Sequence, residues 1–455
     1  MSSASTTPNP ASTRGRRRRF SIAHLALALP WVALVIDAWK PITDNSFLWH
    51  VRAGTVQSEQ IEVLTKDPFS FTAGGERWLT QSWLVELLYG WMEGLSGLGF
   101  VPYMLLVVGL LIFAGIGLLA YRRSGSVTAT AFVMVLATLA LISFLVPRPV
   151  LFSYLLMVLV MVAWDRPQTR WALPFLFWIW ASVHGSFVIG LAYVGLSLLM
   201  DRRWKMLPTA VVCGLATLFT AHGFGVVDFL VEFTQSREAL GYITEWRRPE
   251  LAEVVFLPVV GAIAFILIGA YRRLIEPRHL WLIVPFALLA LTSVRAIPPA
   301  WLALVPVVAT ALTGIGIGSR AGLRRRLAVV FLVVVLVLPF LLIEPAVLSS
   351  DRFPVEASAH LTEARTFHDD VTGGYLIWAE GPDRRVYVDD RAELYGDRLG
   401  EFVAVRSGEE PWEPVFERDG IAQALVGVDD EIRTELSDAG WQTVFADENY
   451  VVLRP

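Results

Sequence analysis

Residues 43–54 read TDNSFLWHVRAG, residues 66–78 read KDPFSFTAGGERW, and residues 80–97 read TQSWLVELLYGWMEGLSG. All belong to one mixed segment, residues 40–99, set between apolar runs at 20–38 and 100–121 that are long enough to cross a bilayer. A helix needs about 20 apolar residues to span the hydrocarbon core. The segment itself is too polar to do so. It gathers acids, a histidine and an arginine beside a tryptophan-rich stretch in which Trp83, Leu84, Leu87, Leu88, Trp91 and Leu95 share one face. That pattern predicts a helix lying in the membrane interface, with polar chemistry held at the bilayer edge.

Working outward, further apolar runs fall at 127–146, 149–164, 171–184, 186–200, 206–222, 252–271, 279–294, 297–314 and 327–343, for about eleven spans in all. Of 455 residues, 55% are hydrophobic, and the mean hydropathy is +0.54. The fold class is therefore mainly α, a polytopic helical membrane protein. The runs meeting at His184 and Gly185 are short and read as a half-length pair, which is tolerated where broken helices line a cavity. Residues 1–19, ending RGRRRR, read as a disordered basic cytoplasmic tail, and the run after it as an uncleaved first span. Arg122, Arg123, Arg166, Arg170, Arg202, Arg203, Lys205, Arg272, Arg273 and the cluster at 320–326 all fall on the side of that tail. Among the loops between spans, Arg247 and Arg248 alone break the positive-inside rule. This places the chain in the plasma membrane with its N-terminus cytoplasmic and residues 20–345 as the transmembrane domain.

Residues 346–455 are polar and mix β-rich runs (VYVDD, ALVGVDD, WQTVFADE, YVVLRP) with helical ones such as EIRTELSDAG. They predict a small extracytoplasmic α/β domain. The net charge is -4, and the arginines sit in topogenic loops, so nucleic acid is excluded as a partner. The lone Cys213 lies in an apolar run and forms no intramolecular disulfide.

Candidate chemistry collects on the outer face. Asp44 follows the first span, with His50 and Arg52 about a turn or two further on. Asp67 opens a second turn, and Glu86 lies on the amphipathic stretch. A carboxylate in that lowered dielectric gains basicity, while the alternative for Asp44 is a loop cap. Arg148 and Arg295 abut membrane-length apolar sequence, where guanidinium groups suit a lipid-linked phosphate, snorkel to bulk lipid or pair with a loop acid. His184 and His222 end helices and have two readings, as cavity imidazoles or as satisfied structural residues. Glu245 and Arg247 form a mixed-charge outer loop, explained either by substrate contact or by self-pairing. Asp389, Asp390 and Arg391, with Glu393 and Tyr395, follow the VYV run, where a strand-end site and interdomain ion pairing are both open. The histidines lack metal-ligand spacing, so no metal site is assigned. A divalent cation on carboxylate oxygens stays open as a cofactor.

The ordered set TDNSFLWHVRAG, KDPFSFTAGGERW, SWLVELLY, PRPVLFSYLL, WASVHGSFVIGL, ITEWRRPEL, GGYLIW and VYVDDRAELYG resembles bacterial multispanning proteins of the C-type glycosyltransferase superfold. That superfold includes protein mannosyltransferases and aminoarabinose transferases, and the resemblance runs from Asp44 over nearly the whole chain. It implies transfer of a sugar from a polyprenyl-phosphate donor to a glycan, lipid or protein acceptor on the outer face. By the superfold's pattern the acid after the first span, Asp44, is the base. Related sequences often carry a second acid just beyond it, where this chain has Asn45 and Ser46. Arg148, Arg247 or Arg295 would then face the leaving phosphate. Two other classes compete: a transporter or flippase of a lipid-linked or anionic substrate, and a non-catalytic envelope scaffold of the same fold. Charge confined to one side of the bilayer favours the enzyme.

Overall fold

The computed structural model describes residues 23, 26–235, 247–250, 253, 256–273, 276–314 and 346–455. The basic tail, the expected last span at 327–343, the cluster at 320–326 and Glu245 lie outside the described residues.

The apolar runs proposed between 100 and 314 are helices. Among the described residues, three helical stretches are long and apolar enough to cross a membrane: Trp83–Ser124, Val127–Phe144 and Val294–Gly314. The other apolar helices run 10–17 residues, so helix length among the described residues supports three of the expected eleven or so crossings. The chain is a membrane protein, mainly helical, with one small sheet near its C-terminus. Ile297–Gly314 is the central helix, its apolar side chains buried almost throughout.

The outer segment folds into two helices that position the site. Helix α1, Asn45–Gln60, starts at Asp44, whose Oδ1 accepts the Phe47 N–H at 2.9 Å. It stops at Ile61, which adopts a left-handed φ of 52°, an uncommon conformation for a β-branched residue. Helix α2, Trp83–Ser96, packs against α1 with the backbones nearly touching. A Cβ on Gly54 would lie 1.7 Å from the Glu86 carbonyl oxygen, and one on Gly90 would lie 2.5 Å from the Thr55 nitrogen. No other residue permits that approach. α2 buries Val85, Glu86, Tyr89 and Gly90 and leaves Leu88, Trp91 and Leu95 exposed, as an apolar face turned toward lipid requires.

The C-terminal segment is joined to this pair rather than hung from it. Helix α3, Asp370–Glu380, is capped by Asp369, which accepts the Thr372 N–H at 2.8 Å. Its Gly373 and Gly374 admit the Val388 carbonyl on one side and the Asn45 backbone on the other. Trp378 Nε1 donates to Glu93 of α2 at 2.5 Å. Val371, Tyr375, Leu376 and Ile377 of α3 are continuous with the core of the helical body.

The sheet comprises β1 (Thr366–His368), β2 (Gln423–Gly427), β3 (Gln442–Ala446) and β4 (Tyr450–Arg454), in the order β1-β2-β4-β3. β1 runs parallel to β2, and the other pairings are antiparallel. The three C-terminal strands and the helix Glu431–Asp438 lie where the sequence places them. VYV does not join the sheet. Val386 instead exchanges backbone hydrogen bonds with Phe69 and Phe71 of the outer segment, at 2.9 and 3.0 Å, because its partner is a loop rather than a strand. The three-residue β1 carried too little pattern to be seen.

Candidate active site

Three residues of α1 spaced one helical turn apart, His50, Gly54 and Gln57, face α2. With Gly54 allowing close approach, the Glu86 carboxylate lies 2.8 Å from His50 Nδ1 and accepts from Gln57 Nε2 at 2.8 Å. Burial lowers the His50 pKa below its ordinary value, partly countered by Glu86. The neutral ring donates from Nδ1 to Glu86 and stacks on Trp49, with centroids 3.6 Å apart.

At the start of α1, Asp44 holds two partners. One oxygen caps the helix, and the other accepts from Arg148 Nε at 2.6 Å. Ser46 and Trp49 both reach the C-terminal segment: Trp49 Nε1 donates to Asp390 Oδ1 at 2.5 Å, and the Ser46 hydroxyl donates to Asp390 Oδ2.

The DDR stretch splits between two roles. Asp389 and Arg391 are fully buried and form a bidentate pair at 2.8 and 2.6 Å. Arg391 Nη1 also reaches Asp67 at 2.8 Å, and the guanidinium lies 4.4 Å from the Trp78 ring centroid. The Tyr395 hydroxyl adds a bond to Asp389 at 2.6 Å. Asp67 further accepts from the Phe69 and Ser70 N–H groups, both at 3.0 Å. Burial pushes the Asp389 carboxyl upward, but the adjoining Arg391 more than offsets it and holds the group below the usual range. These three charges tie the outer segment to the C-terminal one. Interdomain pairing is thus the role the structure gives Asp67, Asp389 and Arg391.

Asp390, one residue on, faces the other way. It lines a cavity of about 680 Å³ together with Trp49, His50, Gln81, Glu86, His184, Arg295 and Glu393. Its lining is otherwise largely apolar, with Val150, Met157, Ile189, Leu289 and Pro299 among the contributors. Burial pushes Asp390 up to about 7, against the opposing pull of Arg148 and the Ser46 hydroxyl. His184 sits at the break between Leu173–Val183 and Phe187–Asp201, and Arg295 Nη2 lies 3.5 Å from its Nε2.

The structure brings His50, Glu86, His184 and Arg295 together on one cavity. Asp44 and Arg148 meet each other but are not among the lining residues. Arg52 donates to the Gly381 carbonyl and joins α1 to the end of α3. Arg247 pairs with Glu253 at the surface, so self-pairing accounts for it. His222 is satisfied by the Thr80 carbonyl at 2.9 Å. Asp390 and Glu393 of the cluster after VYV also line the cavity, as do Gln81 and Trp49, to which the sequence pattern does not point. Among the described residues, no group of three or more histidine, cysteine, aspartate or glutamate side chains is arranged to hold a metal ion.

No family model and no curated protein matches the sequence. Solved structures do. The crystal structure of ArnT from Cupriavidus metallidurans in the apo state aligns with 94% of this chain and 97% of that one, at a TM-score of 0.50 and 15% identity. The same protein bound to undecaprenyl phosphate aligns with the same coverage and identity at a TM-score of 0.51. The chain has the fold of the C-type glycosyltransferases. ArnT is an aminoarabinose transferase of that superfold, and the likeness extends through both the helical body and the C-terminal segment. At this level of identity ArnT speaks for the architecture and leaves the site to be argued from its own residues.

Proposed function

We propose that this chain is a membrane glycosyltransferase that moves a sugar from a polyprenyl-phosphate donor to an acceptor hydroxyl on the extracytoplasmic face. The observation that carries this reading is the two-sided cavity: an apolar wall between helices continues into a cluster of carboxylates, imidazoles and one guanidinium. A prenyl chain fits the first half, and a sugar phosphate fits the second. The ligand bound to ArnT, undecaprenyl phosphate, is of the same chemical kind. Arg295 is placed to take the phosphate, whose charge grows as the sugar departs. Trp49 and Trp180 offer ring faces to the sugar, and Gln81, Glu86 and Glu393 offer hydrogen bonds to its hydroxyls. Asp44, the base expected from the superfold's pattern, caps α1 and holds Arg148. It thereby fixes the helix that carries Trp49 and His50. The outer segment and C-terminal domain together roof the acceptor side.

The test supplies radiolabelled polyprenyl-phosphate sugars to membranes containing the wild type or Arg295→Ala. The wild type is expected to label an acceptor. The variant is expected to lose about a hundredfold in rate, the scale of removing one charge-stabilising group. Equal labelling by both, or none by the wild type with any donor, would contradict the proposal.

A further inference from the structure

The cavity wall holds one acid that comes from outside the helical body. Asp390 follows a short run, 386–388, which is fastened on both sides. Val386 pairs with the backbone of Phe69 and Phe71, and the Tyr387 N–H donates to His368 Nε2 at 3.0 Å. Asp389 turns to Arg391 and Tyr395, and Asp390 turns to the cavity. Its two oxygens accept from different donors, Trp49 Nε1 and the Ser46 hydroxyl, so the carboxyl is held in one orientation while its remaining lone pairs are open to an incoming hydroxyl.

We infer that Asp390 is the carboxylate that takes the proton of the acceptor hydroxyl, so that the C-terminal segment supplies a catalytic residue to the transmembrane cavity. This rests on the transferase reading above. In the step, the acceptor oxygen forms a bond to the anomeric carbon and its proton passes to Asp390. The bond from that carbon to the donor phosphate oxygen breaks, and its electron pair leaves with polyprenyl phosphate.

Two other groups compete for the role. Asp44 has one oxygen on a helix cap and the other on Arg148, and it is not among the residues lining the cavity. His50 lines the cavity but is buried, stacked on Trp49 and committed to Glu86 through Nδ1. Asp390 is half-buried with an open face. Its affinity for protons, raised to about 7 by burial, matches what proton transfer near neutral pH requires.

The experiment measures sugar transfer against pH with the full-length protein in liposomes, for the wild type, Asp390→Asn, Ser46→Ala, His50→Gln and Asp44→Asn. Asp390→Asn is expected to lose at least about a hundredfold at the plateau, to melt no lower than the wild type, and to show no acid limb near pH 7. Ser46→Ala removes a donor that favours the carboxylate, so its acid limb is expected to move upward in pH. A shift of that kind reports a tuned base and would not arise from a merely structural role. Asp390→Asn transferring within a few-fold of the wild type would overturn the assignment while leaving the transferase reading intact. So would a limb that stays in Asp390→Asn and vanishes in His50→Gln or Asp44→Asn. No transfer by the wild type from any polyprenyl-phosphate sugar would sink the transferase reading itself, and this inference with it.

Discussion

Asp389 and Asp390 are neighbours in sequence, yet they belong to two regions built on opposite principles. The region around Asp389 is saturated: Arg391 answers two acids, every strong acceptor has a donor, and three aromatic rings exclude water. The region around Asp390 is left open, with several acids and imidazoles on a cavity wall and a proton affinity far from the ordinary carboxylate value. The contrast shows how stability and reactivity are divided within a few residues. The ion cluster holds two segments of the chain together, and the strained electrostatics of the cavity rest on that hold.

The sharpest way to break this contrast is to open the saturated side. Arg391→Ala leaves Asp67 and Asp389 buried without their cation and should cost about 3–5 kcal/mol, read as a large fall in the thermal transition in detergent. Gly54→Val forces α1 and α2 apart at the point where a Cβ would meet the Glu86 carbonyl. It should cost about 1–3 kcal/mol and disturb the His50–Glu86 pair, with transfer falling as well as melting temperature.

The open side should respond with the opposite sign. The Asp390 carboxyl has its folded pKa raised to about 7, so the folded state binds the extra proton and stability falls as pH rises through that value. Asp390→Asn should therefore melt higher than the wild type at pH 8, with the gain fading toward pH 4. For Asp389 the folded pKa is depressed, so its contribution is present above the ordinary carboxylate range and is lost only as pH falls below about 4. A melting curve recorded across pH separates the two neighbours. The smallest effect is expected at Arg247→Ala, whose exposed pair with Glu253 should leave both melting and transfer unchanged.

Much of the architecture was legible in the residues. The apolar runs between 100 and 314 declare their helices, and the β-branched runs ALVGV and YVVLR declare their strands. The exposed apolar face of α2, with Leu88, Trp91 and Leu95, follows from its spacing. VYV has the same composition as those strands but pairs with a loop, which no local pattern reveals. At the site, His50, Glu86, His184 and Arg295 were reachable because ionisable groups beside apolar sequence need a reason to be there. Asp389 and Asp390 adjoin in sequence but meet different partners, and only the position of Arg391 in the fold decides which of them is taken into the ion cluster. The Asp44–Arg148 contact joins residues 104 positions apart, beyond any spacing argument.

The most direct test of the central claim, that the cavity between helices is where the lipid donor sits, is photocrosslinking with a polyprenyl phosphate bearing a photoreactive group in its first prenyl units. The account predicts adducts on the apolar wall around Met157, Ile189 and Leu289, reduced in Arg295→Ala. Adducts spread over the lipid-facing surface, or unchanged in that variant, would contradict it.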